Sequence, residues 1–230
     1  MSEIATPFSM FGWAHFGALL IIAIFGIALI QKRRGMSDSR VIRKWELGFA
    51  VALVCSFLYK PASQMWAGTF DVNFGLPLHF CDMASVTAIG ALLTHRQTWC
   101  ELTYFFGLSG TAQALITPSL AHTFPHAGYW FFFIGHGAVV ITALYVVLAL
   151  RHSPRKNGVR HAMVASTAYA IVVGGINSLL GTNYGFLCAK PPSASLMDAL
   201  GPWPWYLVAM WLVAWLIFTL LDLPFRSARK

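Results

Sequence analysis

The sequence predicts an all-α polytopic membrane protein with seven transmembrane helices, its N-terminus outside and its C-terminus cytoplasmic. Three observations favour this fold class: the composition, the spacing of the apolar segments and the placement of the basic residues. Of the 230 residues, 57% are hydrophobic and 10% are charged, whereas an average soluble domain has about 25% charged residues. Mean hydropathy is +0.64, which also indicates an integral membrane protein.

Seven apolar segments approach the length that a membrane-spanning helix needs. Crossing the hydrocarbon core takes about 20 helical residues. The second segment is short by this measure, so we expect it either to borrow from the following "KPASQMW" or to meet a locally thin part of the bundle. We therefore predict one domain over residues 1–230 with spans of about 13–30, 45–59, 77–93, 99–116, 129–149, 163–180 and 204–221.

The basic residues predict the orientation. Fourteen of the sixteen Lys and Arg residues fall in connections 31–44, 94–98 and 151–162 or in the C-terminal tail, and the other side holds Lys60 and Lys190. Short cytoplasmic loops carry such an excess of Lys and Arg. The net charge of +8 thus reflects topology. Because no basic face is interleaved with aromatic residues, we expect no nucleic-acid partner.

The longest predicted outer connection, residues 181–203, reads "GTNYGFLCAKPPSASLMDALGPW". Pro191 and Pro192 argue against a continuous helix there. Irregular backbone beside a membrane must be covered by protein or water. We therefore expect this connection to fold back as an outer loop or lid.

Polar side chains from several spans converge at one depth in the predicted outer leaflet. Polar groups are costly inside a membrane, so each is a functional hypothesis. His136 lies about seven residues into the fifth span, roughly 10 Å deep at 1.5 Å per residue. The predicted substrate-binding residues come from the third, fourth and sixth spans and from the rim of the sixth: His79, Asp82, Gln113, Asn177, Asn183 and Tyr184.

The stretch "GLPLHFCDM" places a His, a Cys and an Asp within four residues. If a helix begins near Pro77, His79 and Asp82 share one face at i,i+3, whereas Cys81 points elsewhere. A base for this thiol should then come from another span, and His136 is the natural candidate. Two other readings stay open: Cys81 as a small buried hydrophobe, and a disulfide with Cys188 that would compete with a nucleophilic thiolate.

Metal and nucleotide chemistry have little support. His122 and His126 stand four residues apart, a spacing that suits zinc on a helix, but Pro125 lies between them and no further ligand is local. The chain contains no G-x-S-x-G elbow, no phosphate-binding P-loop and no H-E-x-x-H pair. We therefore expect no metal site and no cofactor.

Three further blocks point to a family. They are "LPLHFC" (76–81), "ITPSLAHTFPH" (116–126) leading to "FFFIGHG" (131–137), and "GTNYGFLCAKPPSASLMDALGPWPWY" (181–206). In these the chain resembles the YwaF-like family of bacterial integral membrane proteins. That family is similar, more distantly, to a eukaryotic group of cysteine-dependent transmembrane acyltransferases that remodel phospholipids. The resemblance implies a bacterial cytoplasmic (inner) membrane protein whose Cys81 carries an acyl group and whose His136 acts with it.

Two functions are compatible with the residues. The first is a thiol-dependent phospholipid acyltransferase or acyl hydrolase, in which Cys81 and His136 are catalytic and membrane lipids are the partners. A thiol nucleophile of this kind needs a base and donors for an oxyanion. The alternative is a non-enzymatic binder or transporter of a lipid or small molecule that uses the same polar pocket. A third possibility is a structural membrane protein whose polar groups serve helix packing.

Overall fold

The computed structural model describes residues 8–36, 38–118, 120, 123–191 and 196–227. Within these residues the chain forms helices and connecting segments, with no β-strand, as predicted for the fold class. The α-helices are α1 (Trp13–Gly35), α2 (Ser39–Trp66), α3 (Phe80–Thr94), α4 (Gln97–Phe106), α5 (Ala112–Ile116), α6 (Ala127–Leu148), α7 (Gly158–Leu180) and α8 (Trp205–Arg226).

Four of the described helices are long and apolar enough to cross a membrane: α1, α6, α7 and α8. The other three predicted spans correspond to α2, to α3 and to the α4–α5 segment. Helix α2 has 28 residues and continues through Pro61 into the segment from which the sequence analysis expected it to borrow. Helix α3 is apolar but has only 15 residues. The seven-span count therefore stays a prediction.

A π-helical turn, Gly107–Thr111, joins α4 to α5. Two glycines make close approaches possible there. A Cβ at Gly107 would lie 2.9 Å from the Cβ of Ala143 on α6, and one at Gly110 would lie 2.9 Å from the Phe80 ring. Single π turns inside helices occur frequently at functional sites. This one lies between α6 and the residue that precedes Cys81.

The distribution of apolar and charged side chains between surface and interior is the reverse of that in a soluble protein. Large apolar side chains are exposed along α1, α7 and α8, among them Leu20 (61%), Ile171 (70%) and Leu216 (52%). Glu46 and Glu101, in contrast, are almost completely buried. A contiguous exposed apolar surface marks an interaction with a membrane or a partner, and the hydropathy of the helices favours the membrane.

Small residues let the central helices pack closely. Ala84, Ala88 and Ala91 follow one another at helical spacing on α3, and each is fully buried. They belong to a core that also contains Phe105 of α4 and Val139 of α6. Small residues at helix interfaces allow close backbone approach in membranes. Helices α3, α4 and α6 therefore form the centre of the bundle.

The buried carboxylate of Glu101 fixes the connection between α6 and α7. Its oxygens accept hydrogen bonds from the backbone N–H of Arg155 at 2.8 Å and from the Arg155 guanidinium at 3.0 and 3.1 Å. His161 Nδ1 lies 3.1 Å from the same carboxylate. The hydrogen bonds to Glu101 raise the pKa of Arg155 above its ordinary value, so this pair stays charged.

Candidate functional site at the start of α3

Helix α3 begins three residues later than the sequence analysis expected. His79 is the N-cap, with extended backbone (φ −73°, ψ 160°), and Phe80 is the first helical residue. The His79 N–H donates to a carboxylate oxygen of Asp82 at 2.8 Å. An acidic residue at the third helical position commonly satisfies the N-cap amide in this way. Asp82 therefore bonds the His79 backbone, and the shared helical face inferred for the two side chains does not arise.

Cys81 lies in the first turn of α3 as a partly buried free thiol. Both Cys81 and Asp82 belong to this first turn, where backbone N–H groups have no partner within the helix. The positive end of the helix dipole lies at this position, and the neighbouring side chain in the same turn is the Asp82 carboxylate. Lys60, near the end of α2, interacts electrostatically with both Cys81 and Asp82.

Tyr169 of α7 completes this part of the site, and the sequence analysis did not identify it. Its hydroxyl donates to the Leu78 carbonyl at 2.8 Å, and it interacts electrostatically with Cys81 and Asp82. The spacing of Tyr169, Val173 and Asn177 is i, i+4, i+8, which places all three on one stripe of α7. This spacing is the signal that could have found it. We call His79, Cys81, Asp82, Tyr169 and Tyr184 the Cys81 cluster.

Asn177 holds the turn that follows α7. Its side-chain oxygen accepts from the Tyr184 N–H and from the Thr182 hydroxyl, both at 2.8 Å. Its side-chain nitrogen donates to the Tyr184 carbonyl at 2.9 Å. Asn177 is 1% exposed. The amide is thus occupied by the chain itself, in a position where an unsatisfied amide would be costly.

Tyr184 connects this turn to the segment before α3. The hydroxyl donates to the Val72 carbonyl and accepts from the Leu76 N–H at 2.9 Å. Its ring contacts the His79 ring edge-on, with centroids 5.3 Å apart. Burial raises the pKa of Tyr184 above its ordinary value, so the hydroxyl remains a donor at neutral pH. Tyr184 therefore ties the start of α3 to the end of α7.

The connection after Tyr184 folds back toward α8 and the start of α3. The Asn183 side-chain oxygen accepts from the N–H groups of Cys188 and Ala189 at 3.0 and 3.1 Å. Tyr206 of α8 donates its hydroxyl to the Phe186 carbonyl at 2.6 Å, and the Phe186 ring lies 5.7 Å from that of His79. Pro192 and the three residues after it lie outside the described residues.

His136 makes its hydrogen bond within α6. The Nδ1 atom is 2.9 Å from the Phe132 carbonyl, and the ring stacks on Phe132 at 4.1 Å. Because a carbonyl only accepts, Nδ1 of the neutral ring carries the proton and Nε2 is left as an acceptor. The flanking glycines fit against Ser56 of α2 and Ile22 of α1, where a Cβ would approach to 2.9 and 2.8 Å.

Two predicted site residues stand apart from the Cys81 cluster in their contacts. Gln113 is exposed and donates to the Thr117 hydroxyl at 2.9 Å. Within the described chain, no hydrogen bond or ring contact joins Gln113 or His136 to Cys81 or its neighbours. The catalytic pairing of Cys81 with His136 remains a prediction.

The other sulfur and imidazole groups have ordinary surroundings. Cys188 and Cys55 are exposed free thiols, and Cys100 is a buried one. His126 is the N-cap of α6 and accepts from the Gly128 N–H at 3.0 Å, whereas His122 lies outside the described residues. In the part of the chain that the structure describes, no three His, Cys, Asp or Glu side chains are grouped to hold a metal ion.

Replacing Tyr184 with Phe should loosen the segment before α3 without changing the core. The substitution removes both hydroxyl hydrogen bonds, and the Leu76 N–H loses its partner. We expect hydrogen exchange at residues 72–79 to accelerate about tenfold, since losing roughly 1.4 kcal/mol corresponds to a factor of ten. Tyr59→Phe is the matched control, because the Tyr59 ring stacks on Phe131 and its hydroxyl bonds nothing in the described chain. Equal exchange in both variants would contradict the role of Tyr184.

The chain is similar in sequence to known proteins. An uncharacterised protein of Treponema pallidum (strain Nichols) is 27% identical over 232 residues, an alignment covering 96% of this chain and 92% of that protein. No solved structure matches. Neither finding confirms the resemblance to the YwaF-like family or its acyltransferase link. The model of the TMEM164 family matches residues 10–222, and the chain therefore belongs to the TMEM164 family.

Proposed function

We propose that the chain spans a bacterial cytoplasmic membrane seven times, with its N-terminus outside. Four apolar helices support the membrane location, and the distribution of Lys and Arg supports the orientation. The lengths of α2 and α3 fit this count if the irregular segment 67–79 lies at the outer surface beside the Cys81 cluster. The described residues 181–191 then form a lid over the same end.

Reporter fusions test this orientation. A green fluorescent protein fused after residue 230 should fluoresce, because its fluorophore matures in the cytoplasm, and alkaline phosphatase at the same position should be inactive. Phosphatase fused after Ala67 should be active. Activity of the phosphatase at the C-terminus would contradict the proposed orientation.

For the function itself, we propose thiol-dependent acyl transfer from a membrane phospholipid at the outer surface. The observation that carries this proposal is the position of Cys81. Its thiol lies in the first turn of a helix next to Asp82, and the ring of the N-cap residue His79 contacts Tyr184 and Phe186 of the folded-back segment. Ester carbonyls of phospholipids lie just below the headgroups, at the depth of a helix end.

The proposed reaction has two steps, acylation of Cys81 and deacylation. In the first, the Cys81 thiolate attacks the ester carbonyl, the C–O bond of the ester breaks, and the released lysophospholipid hydroxyl takes up the proton that the thiol gave. In the second, a hydroxyl of an acceptor lipid or of water attacks the thioester and the thiol is restored. Transfer to a lipid gives an acyltransferase, and transfer to water gives a hydrolase.

The other residues of the site take distinct roles in this proposal. His136 presents an unprotonated Nε2 and is the candidate base, provided that the site closes around substrate; catalytic hydrogen bonds are often long without substrate. Tyr169 is the candidate hydroxyl donor for the developing oxyanion, which it would bind in place of the Leu78 carbonyl. Asn177 and Asn183 position the lid, because their amides already bond the chain.

Lipid turnover by the purified protein in liposomes tests this function. Cys81→Ala should lower turnover to background, and His136→Gln should lower it by about a hundredfold or more. Cys188→Ala is the matched control, since that thiol is exposed on the same connection and outside the cluster, and it should retain full activity. Lipid turnover that persists in Cys81→Ala would contradict the thiol-dependent mechanism.

A second candidate, a non-enzymatic binder of lipid, has one specific observation in its favour. The hydrogen bond and the ring contact of His136 are both with Phe132 of its own helix, so the candidate base is not in contact with Cys81 in the described residues. A binder would retain lipid with unchanged affinity in Cys81→Ala and would show no turnover in any variant. The liposome experiment therefore separates the two candidates.

A further inference from the structure

The end of α3 opposite the Cys81 cluster borders a cavity. Fifteen helical residues at 1.5 Å per residue separate the two ends by roughly 20 Å. The cavity has a volume of about 590 Å³ and opens to the surface. It lies between the end of α1, the first turns of α2 and the end of α3, and its lining residues are Arg33, Arg40, Ile42, Arg43, Glu46 and His95. We call it the arginine cavity.

The Arg43 side chain is held by hydrogen bonds within the protein. Its guanidinium donates to the carbonyls of Leu92 and Leu93 at 2.6 and 2.8 Å, and it lies 3.5 Å from Glu46. These carbonyls belong to the last turn of α3, where cations are favourable. Arg43 therefore closes the end of α3 and forms one wall of the cavity.

The single carboxylate of the cavity is already engaged. Glu46 accepts from the Tyr145 hydroxyl at 2.7 Å and lies 2.9 Å from His95 Nε2. The neighbouring acid, Asp38, caps α2 by accepting from the Arg40 backbone N–H at 2.8 Å. Neither carboxylate forms an ion pair with the side chain of Arg33 or Arg40 in the described chain.

Two guanidinium groups consequently face the cavity without a carboxylate partner. Arg33 Nε is shielded from solvent and has no hydrogen-bond partner within the described chain, although the same side chain also interacts with Tyr145. Arg40 is exposed, and its guanidinium makes no hydrogen bond there. A buried donor without a partner is costly unless a ligand or water satisfies it. Arginine presents several donors in a planar fork that matches a phosphate group.

A small apolar gap of about 10 Å³, room for no more than about one water, adjoins the arginine cavity and shares Glu46 with it. It runs between α1, α2, α3 and α6 and is lined by Leu29, Trp45, Glu46, Phe49, Leu92, Ile141, Thr142 and Tyr145. The Lys32 ammonium lies over the Trp45 ring at 4.7 Å, an arrangement typical of the membrane interface. Because Trp45 is 44% exposed, an apolar surface lies next to these charges on the outside of the bundle.

We propose that the arginine cavity binds the phosphate group of an anionic phospholipid or of a soluble phosphate compound, with Arg33 and Arg40 as the principal ligands. Basic pockets between membrane helices bind anionic headgroups in this way. The exposed Trp45 ring, next in the chain to Glu46, favours the lipid as the source. The site is separate from the Cys81 cluster, and the proposal does not depend on acyl transfer.

Binding measurements on the full-length protein in nanodiscs of zwitterionic phosphatidylcholine test this proposal. Titrated phosphatidylglycerol, measured by native mass spectrometry, should bind the wild type, and Arg33→Gln and Arg40→Gln should each weaken binding about fivefold, since one such charge contributes roughly 1 kcal/mol. Lys44→Gln is the matched control, because it removes the same charge from α2 without lining the cavity.

Inorganic phosphate, titrated in a second arm, separates the two sources. Competition with phosphatidylglycerol in the wild type, absent in Arg33→Gln, would assign the same site to soluble phosphate as well. Binding that falls equally in all three variants reports only general electrostatic attraction, and binding unchanged in Arg33→Gln and Arg40→Gln excludes the cavity. Either result would overturn the proposal.

Discussion

The hydrogen bonds of the Asn177 side chain hold the turn on which the geometry of the Cys81 cluster depends. They fix Tyr184, whose hydroxyl in turn fixes Val72 and Leu76 before α3. The position at which α3 begins, and with it the direction of the Cys81 thiol, is therefore connected to the end of α7. In a buried setting each of these polar groups must be satisfied, so the turn, the segment before α3 and the site form one cooperative unit.

A second unit at the other end of the bundle uses charge in place of neutral amides. Glu101 binds the α6–α7 connection through Arg155 and His161, and Glu46 draws together Tyr145, His95 and Arg43. Removing one partner of a buried charge pair leaves the other uncompensated at high cost. The two carboxylates thus make this end rigid, and in the described chain neither of them forms an ion pair with Arg33 or Arg40, the proposed ligands of an anion.

Composition and hydropathy were sufficient to predict the all-helical membrane fold, because an apolar helix is recognisable from its residues alone. The approximate positions of α1, α6, α7 and α8 followed for the same reason. The start of α3 was placed too early, since Pro77 permits a helix there and only the capping pair of His79 with Asp82 fixes the boundary at Phe80. Tyr169 was overlooked because a tyrosine in an apolar span resembles a packing residue. The side chains of Asn177 and Asn183 form hydrogen bonds with the backbone of the 182–189 segment. These bonds depend on the conformation of that segment, which no local sequence pattern predicts.

The central claim is that Cys81 carries an acyl group, and a single-cysteine protein tests it most directly. Cys55, Cys100 and Cys188 are replaced by Ala, the protein is incubated briefly with a phospholipid bearing a labelled acyl chain, and its peptides are analysed by mass spectrometry. The account predicts the label on the Cys81 peptide and its release by neutral hydroxylamine, which cleaves thioesters. Turnover of the lipid without any label on Cys81, or label that survives Cys81→Ala, would contradict it.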